Sequence, residues 1–143
     1  MIMIKRIFLL IALLTLSACQ WSKLAERDPQ VELLLIQVNV KIEAHWKKIL
    51  LVPAHERKFA RYQESYHLIA NDLNVLLQLN KSRVDNQESI IQMENVLTMW
   101  QQDLNKHKHD NTVTDFIAKR REQQYQRTMY AILKGEQVKP LAS

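Results

Sequence analysis

The sequence is poor in the residues that interrupt helices. Glycine occurs once, at Gly135, and proline three times, at Pro29, Pro53 and Pro140. Because these two residue types are the strongest helix breakers, long helices can run through most of the chain. A single glycine also excludes a glycine-rich phosphate-binding loop and the Gly-x-Ser-x-Gly turn that carries the nucleophile of many hydrolases.

Cysteine is nearly absent as well, since Cys19 is the only one. The chain can therefore form no internal disulfide, and a domain that follows Cys19 holds neither a catalytic thiol nor a thiolate metal cluster. Packing alone must stabilise the fold. The length of 143 residues suits one domain with a modest core.

A large excess of one charge sign is also lacking. Twenty Lys and Arg residues stand against fifteen Asp and Glu residues, which gives a net charge of +5. Removal of residues 1–18 would take Lys5 and Arg6 away and lower the net charge to +3. This balance is too mild to indicate a nucleic acid as partner.

The one long hydrophobic run, IFLLIALLTL, occupies residues 7–16 and follows the basic pair Lys5 and Arg6. A bilayer-spanning helix needs roughly 20 apolar residues, and this run is shorter. A basic start, a short apolar run and small residues after it are typical of a secretory signal. We therefore interpret residues 1–18 as a cleaved signal peptide.

The four residues Leu16-Ser17-Ala18-Cys19 resemble the lipobox of bacterial lipoproteins. The resemblance implies that a signal peptidase recognises Leu16, Ser17 and Ala18 and cleaves before Cys19. It also implies a diacylglyceryl group on the Cys19 sulfur and a further acyl chain, such as palmitate, on the new amine, which together anchor a protein effectively permanently. Because Gln20, rather than Asp, follows the cysteine, the resemblance implies the outer membrane, with the body facing the periplasm.

After the signal, we expect an acylated tether in residues 19–29, a helical bundle in residues 30–135 and a disordered tail in residues 136–143. Apolar residues alternate in steps of three and four in four segments, as on the buried face of helices: about 30–51, 53–79, 85–106 and 113–134. Short connections imply antiparallel neighbours. The sequence therefore predicts an all-α fold, an antiparallel four-helix bundle.

Two alternatives remain open at this level. The segment 31–42 also alternates apolar and other residues with a period of two, as in a β-strand. The fourth helix has few apolar residues between 119 and 124, which allows a three-helix core with this helix loosely attached.

The clearest apolar seam lies in the second predicted helix and comprises Phe59, Tyr62, Tyr66, Ile69, Leu73 and Leu76. The third helix is expected to bury Ile90, Met93, Leu97, Trp100 and Leu104. The fourth is expected to bury Val113, Phe116 and Ile117 near its start and Met129, Tyr130, Ile132 and Leu133 near its end.

Residue types near the helix ends give further expectations. Asp85 and Glu88 have the spacing of a capping box and predict the start of the third helix. The hydroxyl of Thr112 is expected to cap the fourth helix, and Gly135 is expected to end it.

Candidates for catalytic or metal chemistry are few. His107, His109 and Asp110 lie close enough in sequence to ligate a metal, but we interpret them as a solvated helix end. His45 and His67 are interpreted as structural. We therefore expect no metal site, no cofactor and no enzymatic activity.

The fourth helix carries a basic stripe, formed by Lys119, Arg120, Arg121, Arg127 and Lys134. Arg120, Arg127 and Lys134 are seven residues apart and share one helix face. The stripe is either a solvated face or a contact for anionic headgroups or an acidic protein surface.

These features favour a noncatalytic outer-membrane lipoprotein that binds an envelope protein, as an adaptor, accessory subunit or pilotin-like assembly factor. The alternative is a conjugation-associated exclusion or surface-protection lipoprotein. The sequence does not indicate an oligomeric state.

Overall fold

The structure is a computed structural model that describes residues 24–141. Within these residues four α-helices follow one another: α1 Pro29–Leu50, α2 Gln63–Lys81, α3 Gln87–Asp110 and α4 Asp115–Gln137. The segment 31–42 lies inside α1, so the strand alternative is wrong. The signal peptide, the lipobox and residues 19–23 of the tether lie outside the described residues.

The helices form an antiparallel bundle in which α1 packs against α2 and α4, and α3 packs against the same two helices. The predicted all-α bundle is therefore confirmed. The most extensive helix pair is α1 with α4, the first and last helices of the chain. The alternative with a loosely attached fourth helix is thus wrong.

The core is a continuous apolar cluster to which every helix contributes. The predicted seam of α2 is confirmed, because all six of its residues from Phe59 to Leu76 are buried. Near the middle of the bundle, four large aromatic side chains meet in edge and stacked contacts: Trp46, Tyr66, Trp100 and Tyr125.

The second helix begins ten residues later than the sequence predicts. Pro53 is followed by two short 3-10 turns, Ala54–Glu56 and Phe59–Arg61, before α2 starts at Gln63. Phe59 and Tyr62 are nevertheless buried, so these turns preserve the predicted seam without α-helical geometry.

Arg57 explains why this connection is stable without a helix. Its buried guanidinium donates to the carbonyl oxygens of Val52, at 2.6 Å, and Val113, at 2.9 Å, and pairs with Asp115 at 2.6 Å. Backbone carbonyls from two connections are thereby satisfied by one side chain, which ties the α1–α2 connection to the start of α4.

Two predicted N-caps are wrong. Asp85 has a positive φ of 57° and precedes Asn86, which is the N-cap of α3. Thr114, rather than Thr112, caps α4 by accepting from the Ile117 backbone N–H at 3.3 Å. The Thr112 hydroxyl instead donates to the Ala54 carbonyl at 2.7 Å.

The C-terminal segment also differs from expectation. Helix α4 continues through Gly135 to Gln137, and Glu136 is buried instead of belonging to a disordered tail. Its carboxylate accepts from Arg83 at 2.7 Å, from Lys139 at 2.6 Å and from the Asp28 backbone N–H at 2.9 Å. Partners that are distant in sequence therefore order this segment.

Candidate functional site

The structure divides the predicted basic stripe of α4 into separate parts. Lys119, Arg127 and Lys134 are exposed, and the Lys134 Nζ atom lies 5.5 Å from the centroid of the Tyr130 ring. Arg121 instead turns toward the bundle, where its guanidinium pairs with the buried Asp103 carboxylate at 2.7 Å. Arg121 is therefore engaged in the fold.

Beside the exposed part of the stripe, a groove of about 240 Å³ runs between α1 and α4. Three large apolar side chains of its lining are exposed, namely Ile36, Val40 and Tyr130, and Leu33, which is also exposed, lies three residues before Ile36 on the same face of α1. We call these four residues the apolar groove. Arg127 and Lys134 stand three residues before and four residues after Tyr130, on the same helix face, and we call them the basic rim.

The apolar groove has the properties of a docking surface. Contiguous exposed apolar residues, bordered by polar groups, mark sites of interaction more often than single exposed side chains do. A furrow between two antiparallel helices also fits the apolar face of a third helix. Phe116 and Tyr130, which the sequence placed in the core, are exposed, and only Tyr130 belongs to this groove.

A buried polar cluster lies where α3 meets α4. The Asp103 carboxylate accepts from the Tyr125 hydroxyl at 2.8 Å and forms the ion pair with Arg121. Burial raises the pKa of Asp103, although the hydrogen bond from Tyr125 and the charge of Arg121 oppose this shift. Burial also raises the pKa of Tyr125, so its hydroxyl remains a donor.

His107 belongs to the interior, so the interpretation of a solvated helix end is wrong for this residue. Its Nε2–H donates to the Arg57 carbonyl at 2.9 Å, which leaves Nδ1 to accept from the Tyr66 hydroxyl at 3.2 Å. Burial lowers the pKa of His107. His109 is exposed, and within residues 24–141 no three His, Cys, Asp or Glu side chains are placed to hold a metal ion.

His45 and His67, both interpreted as structural, differ from each other. His45 is buried and its Nδ1 lies 2.6 Å from the Ser65 hydroxyl. Burial lowers the pKa of His45 to about 3, with smaller contributions from the charges of His107 and Lys48. The imidazole is therefore neutral at physiological pH, as befits a core residue. His67, in contrast, is exposed on α2.

A cavity of about 350 Å³ adjoins this polar cluster and is lined by Trp46, Tyr66, Asp103 and His107, with Arg120 among its more exposed residues. Trp46 is fully buried, and its indole N–H has no hydrogen-bond partner among the described residues. The polar side chains of the lining mainly satisfy one another. Their hydrogen bonds therefore stabilise this end of the bundle.

The two buried carboxylates give opposite contributions to the pH dependence of stability. Burial alone would raise the pKa of Glu136, but hydrogen bonds from Arg83, Lys139 and Asp28 outweigh it and lower the pKa below 4.5. The stability that wild type gains over Glu136→Gln should therefore be complete above pH 4.5 and decline as the pH falls through the folded pKa.

Asp103 should behave in the opposite way, because its pKa is raised in the folded state. As the pH falls from neutral toward 3.8, the free energy of unfolding of wild type should rise relative to that of Asp103→Asn. Urea titrations of wild type and of both variants, from neutral pH to below 3.8, measure the two slopes. Slopes of the same sign would contradict the assigned environments.

None of the helices in the described residues is both long and apolar enough to cross a membrane. No protein family, curated protein or solved structure matches the chain.

Proposed function

We propose that this chain is a noncatalytic lipoprotein of the outer membrane, anchored through Cys19, whose four-helix body binds another envelope protein as an adaptor or assembly factor. The lipobox resemblance supports the anchor. The observation that carries the binding role is the apolar groove between α1 and α4, with its basic rim.

The chemistry of the groove favours an amphipathic helix with an acidic flank as its occupant. Leu33, Ile36 and Val40 follow one another along α1 at spacings of three and four, which is the pattern that accepts the apolar side of another helix. Arg127 and Lys134 would attract carboxylates beside that apolar side. Such charges steer association and fix orientation more than they add affinity.

Site-specific crosslinking in cells tests this proposal. A photoreactive amino acid at position 40 or 130 should give adducts with one envelope protein, through a segment of acidic, amphipathic sequence. Position 75 provides the control, because Val75 is exposed on α2 and lies outside the groove. Mass spectrometry of the adducts identifies the crosslinked segment.

Charge removal provides the second part of the test. The double substitution Arg127→Gln and Lys134→Gln should reduce the adduct yield several-fold at physiological salt, while the melting temperature changes little because Gln retains high helix propensity. Lys108→Gln with Lys119→Gln removes the same charge from exposed positions outside the rim. Equal loss in both pairs, or equal crosslinking from position 75, would contradict docking in the groove.

A further inference from the structure

Four exposed apolar side chains gather at one end of the bundle. Leu24 is 54% exposed, Val84 and Val138 are each 79% exposed, and Leu141 is 73% exposed. We call these four residues the tether-end patch. They come from three separate segments: the stretch before α1, the α2–α3 connection and the stretch after α4.

Backbone hydrogen bonds hold these three segments together. The Ala25 N–H donates to the Asp85 carbonyl at 3.1 Å, and the Arg27 N–H donates to the Pro140 carbonyl at 2.7 Å. The side chain of Arg83 adds a further link, because its guanidinium contacts both the Glu26 carbonyl and the Glu136 carboxylate. The patch is therefore a feature of the folded body.

The sequence places the expected anchor beside this patch. Only four residues separate Cys19 from Leu24, so even a fully extended chain, which takes five steps between them, reaches about 17 Å. If Cys19 carries acyl chains in a bilayer, the end of the bundle that bears Leu24 must stay close to that bilayer.

We propose that the tether-end patch rests on the lipid bilayer and holds the long axis of the bundle away from the membrane. The proposal rests on the proposed function, because it takes the anchor at Cys19 as given. The free energy falls when exposed apolar side chains move from water into the apolar part of the membrane interface. The anchor already holds the chain at the membrane, so most of the entropic cost of bringing these side chains there is removed.

The charges around the patch indicate which kind of membrane contact this is. Glu26 and Asp85 are exposed beside it, while the nearby cations Arg83 and Lys139 are bound to Glu136. Lys134, two residues before Glu136, is exposed and gives anionic headgroups a point of attraction near this end. The contact is therefore mainly apolar and should persist at high salt and in vesicles without anionic lipid.

This orientation also determines how far the basic residues near the start of α4 lie from the membrane. Arg120 precedes Glu136 by sixteen residues, which corresponds to about 24 Å along a helix. Lys119 and Arg120 thus lie far from the headgroups, and the side of the bundle that carries the apolar groove remains open to a protein partner.

A fluorescent label tests the orientation in the acylated protein. In that protein the thioether occupies the Cys19 sulfur, so a cysteine introduced by Val84→Cys is the only free thiol. The environment-sensitive probe NBD on this cysteine is read in phosphatidylcholine vesicles with and without phosphatidylglycerol. Leu51→Cys is the matched control, because Leu51 is 84% exposed but follows α1 at the opposite end of the bundle.

We expect the label at position 84 to shift to the blue and to be quenched several-fold more strongly by lipid-attached nitroxide than the label at position 51. Both effects should persist at high salt. Leu141→Cys, at a second position of the patch, should behave like Val84→Cys.

Equal quenching at positions 84 and 51 would overturn the inference, as would shielding of position 84 before vesicles are added, since residues of the chain would then cover the patch. Failure of the proposed function gives a different result. In that case mass spectrometry finds no acyl group on Cys19, and the protein does not float with vesicles at all.

Discussion

The variant Leu73→Asp is expected to leave the body unfolded. Leu73 is 0% exposed at the centre of the α2 seam, so the substitution removes a buried apolar side chain and places a carboxylate without a partner in the core. Losing the apolar contacts of a buried Leu costs about 2–5 kcal/mol, and burying an unpaired charge adds to this. A small domain is stable by only about 5–15 kcal/mol. Circular dichroism should therefore show loss of most of the helical signal.

Leu68→Asp is the matched control for this substitution. Leu68 lies on the same helix but is 55% exposed, so the same change in side chain should lower the free energy of unfolding by less than about 1 kcal/mol. A folded Leu73→Asp, or an equal loss of stability in both variants, would contradict the packing of α2.

Cys19→Ala is expected to abolish acylation and to release the protein from the membrane. Each buried methylene of an acyl chain contributes about 0.8 kcal/mol, which adds up to a far larger membrane affinity than the four side chains of the tether-end patch can provide. Labelled fatty acid should no longer be incorporated, and the protein should accumulate as uncleaved precursor or leave the membrane fraction.

Gln20→Asp is the control that separates anchoring from sorting. This variant should incorporate fatty acid like wild type but move toward the inner membrane in a density gradient. Undiminished labelling of Cys19→Ala would contradict acylation at Cys19. An unchanged gradient position of Gln20→Asp would remove only the outer-membrane assignment.

The fold class was predictable because it depends on local regularities. With one glycine and three prolines, the chain has few breakers, and the seam of α2 repeats in steps of three and four with apolar residues alone. Such a pattern determines which face of a helix is buried even before its partners are known.

The burial on α3 was predictable only in part, because two of its five buried residues are polar. The structure buries Met93, Val96, Trp100, Asp103 and His107, which follow the same steps of three and four. A search for apolar residues takes Leu97 in place of Val96 and Leu104 in place of Asp103, and the structure buries these two leucines only partly. Asp103 and His107 are tolerated inside only because Tyr125, Arg121, Arg57 and Tyr66 provide hydrogen bonds or charge, and these partners come from other elements.

The predicted ends of the helices were wrong for the same reason. Arg57 and Glu136 resemble solvated charges in the sequence, yet each is buried by partners more than fifty residues away. Pairing over such distances leaves no local pattern, so the loss of helix after Pro53 and the ordering after Gly135 could not be predicted.

Part of the candidate site left a pattern in the sequence, but that pattern favoured a β-strand rather than a binding surface. The alternation in residues 31–42 that favours a strand arises because α1 carries two apolar rows. Val31, Leu35, Val38 and Ile42 face the core, whereas Leu33, Ile36 and Val40 are exposed. The second row is the one that forms the apolar groove with Tyr130, and its partner helix is known only from the fold.

Mass spectrometry of the N-terminus of the mature protein, purified from membranes, tests the central claim most directly. We expect residues 1–18 to be absent and the first residue to be Cys19, carrying a diacylglyceryl thioether and an acylated amine. A mature chain that retains residues 1–18, or that is cleaved elsewhere and leaves the Cys19 sulfur unmodified, would contradict a lipid-anchored body.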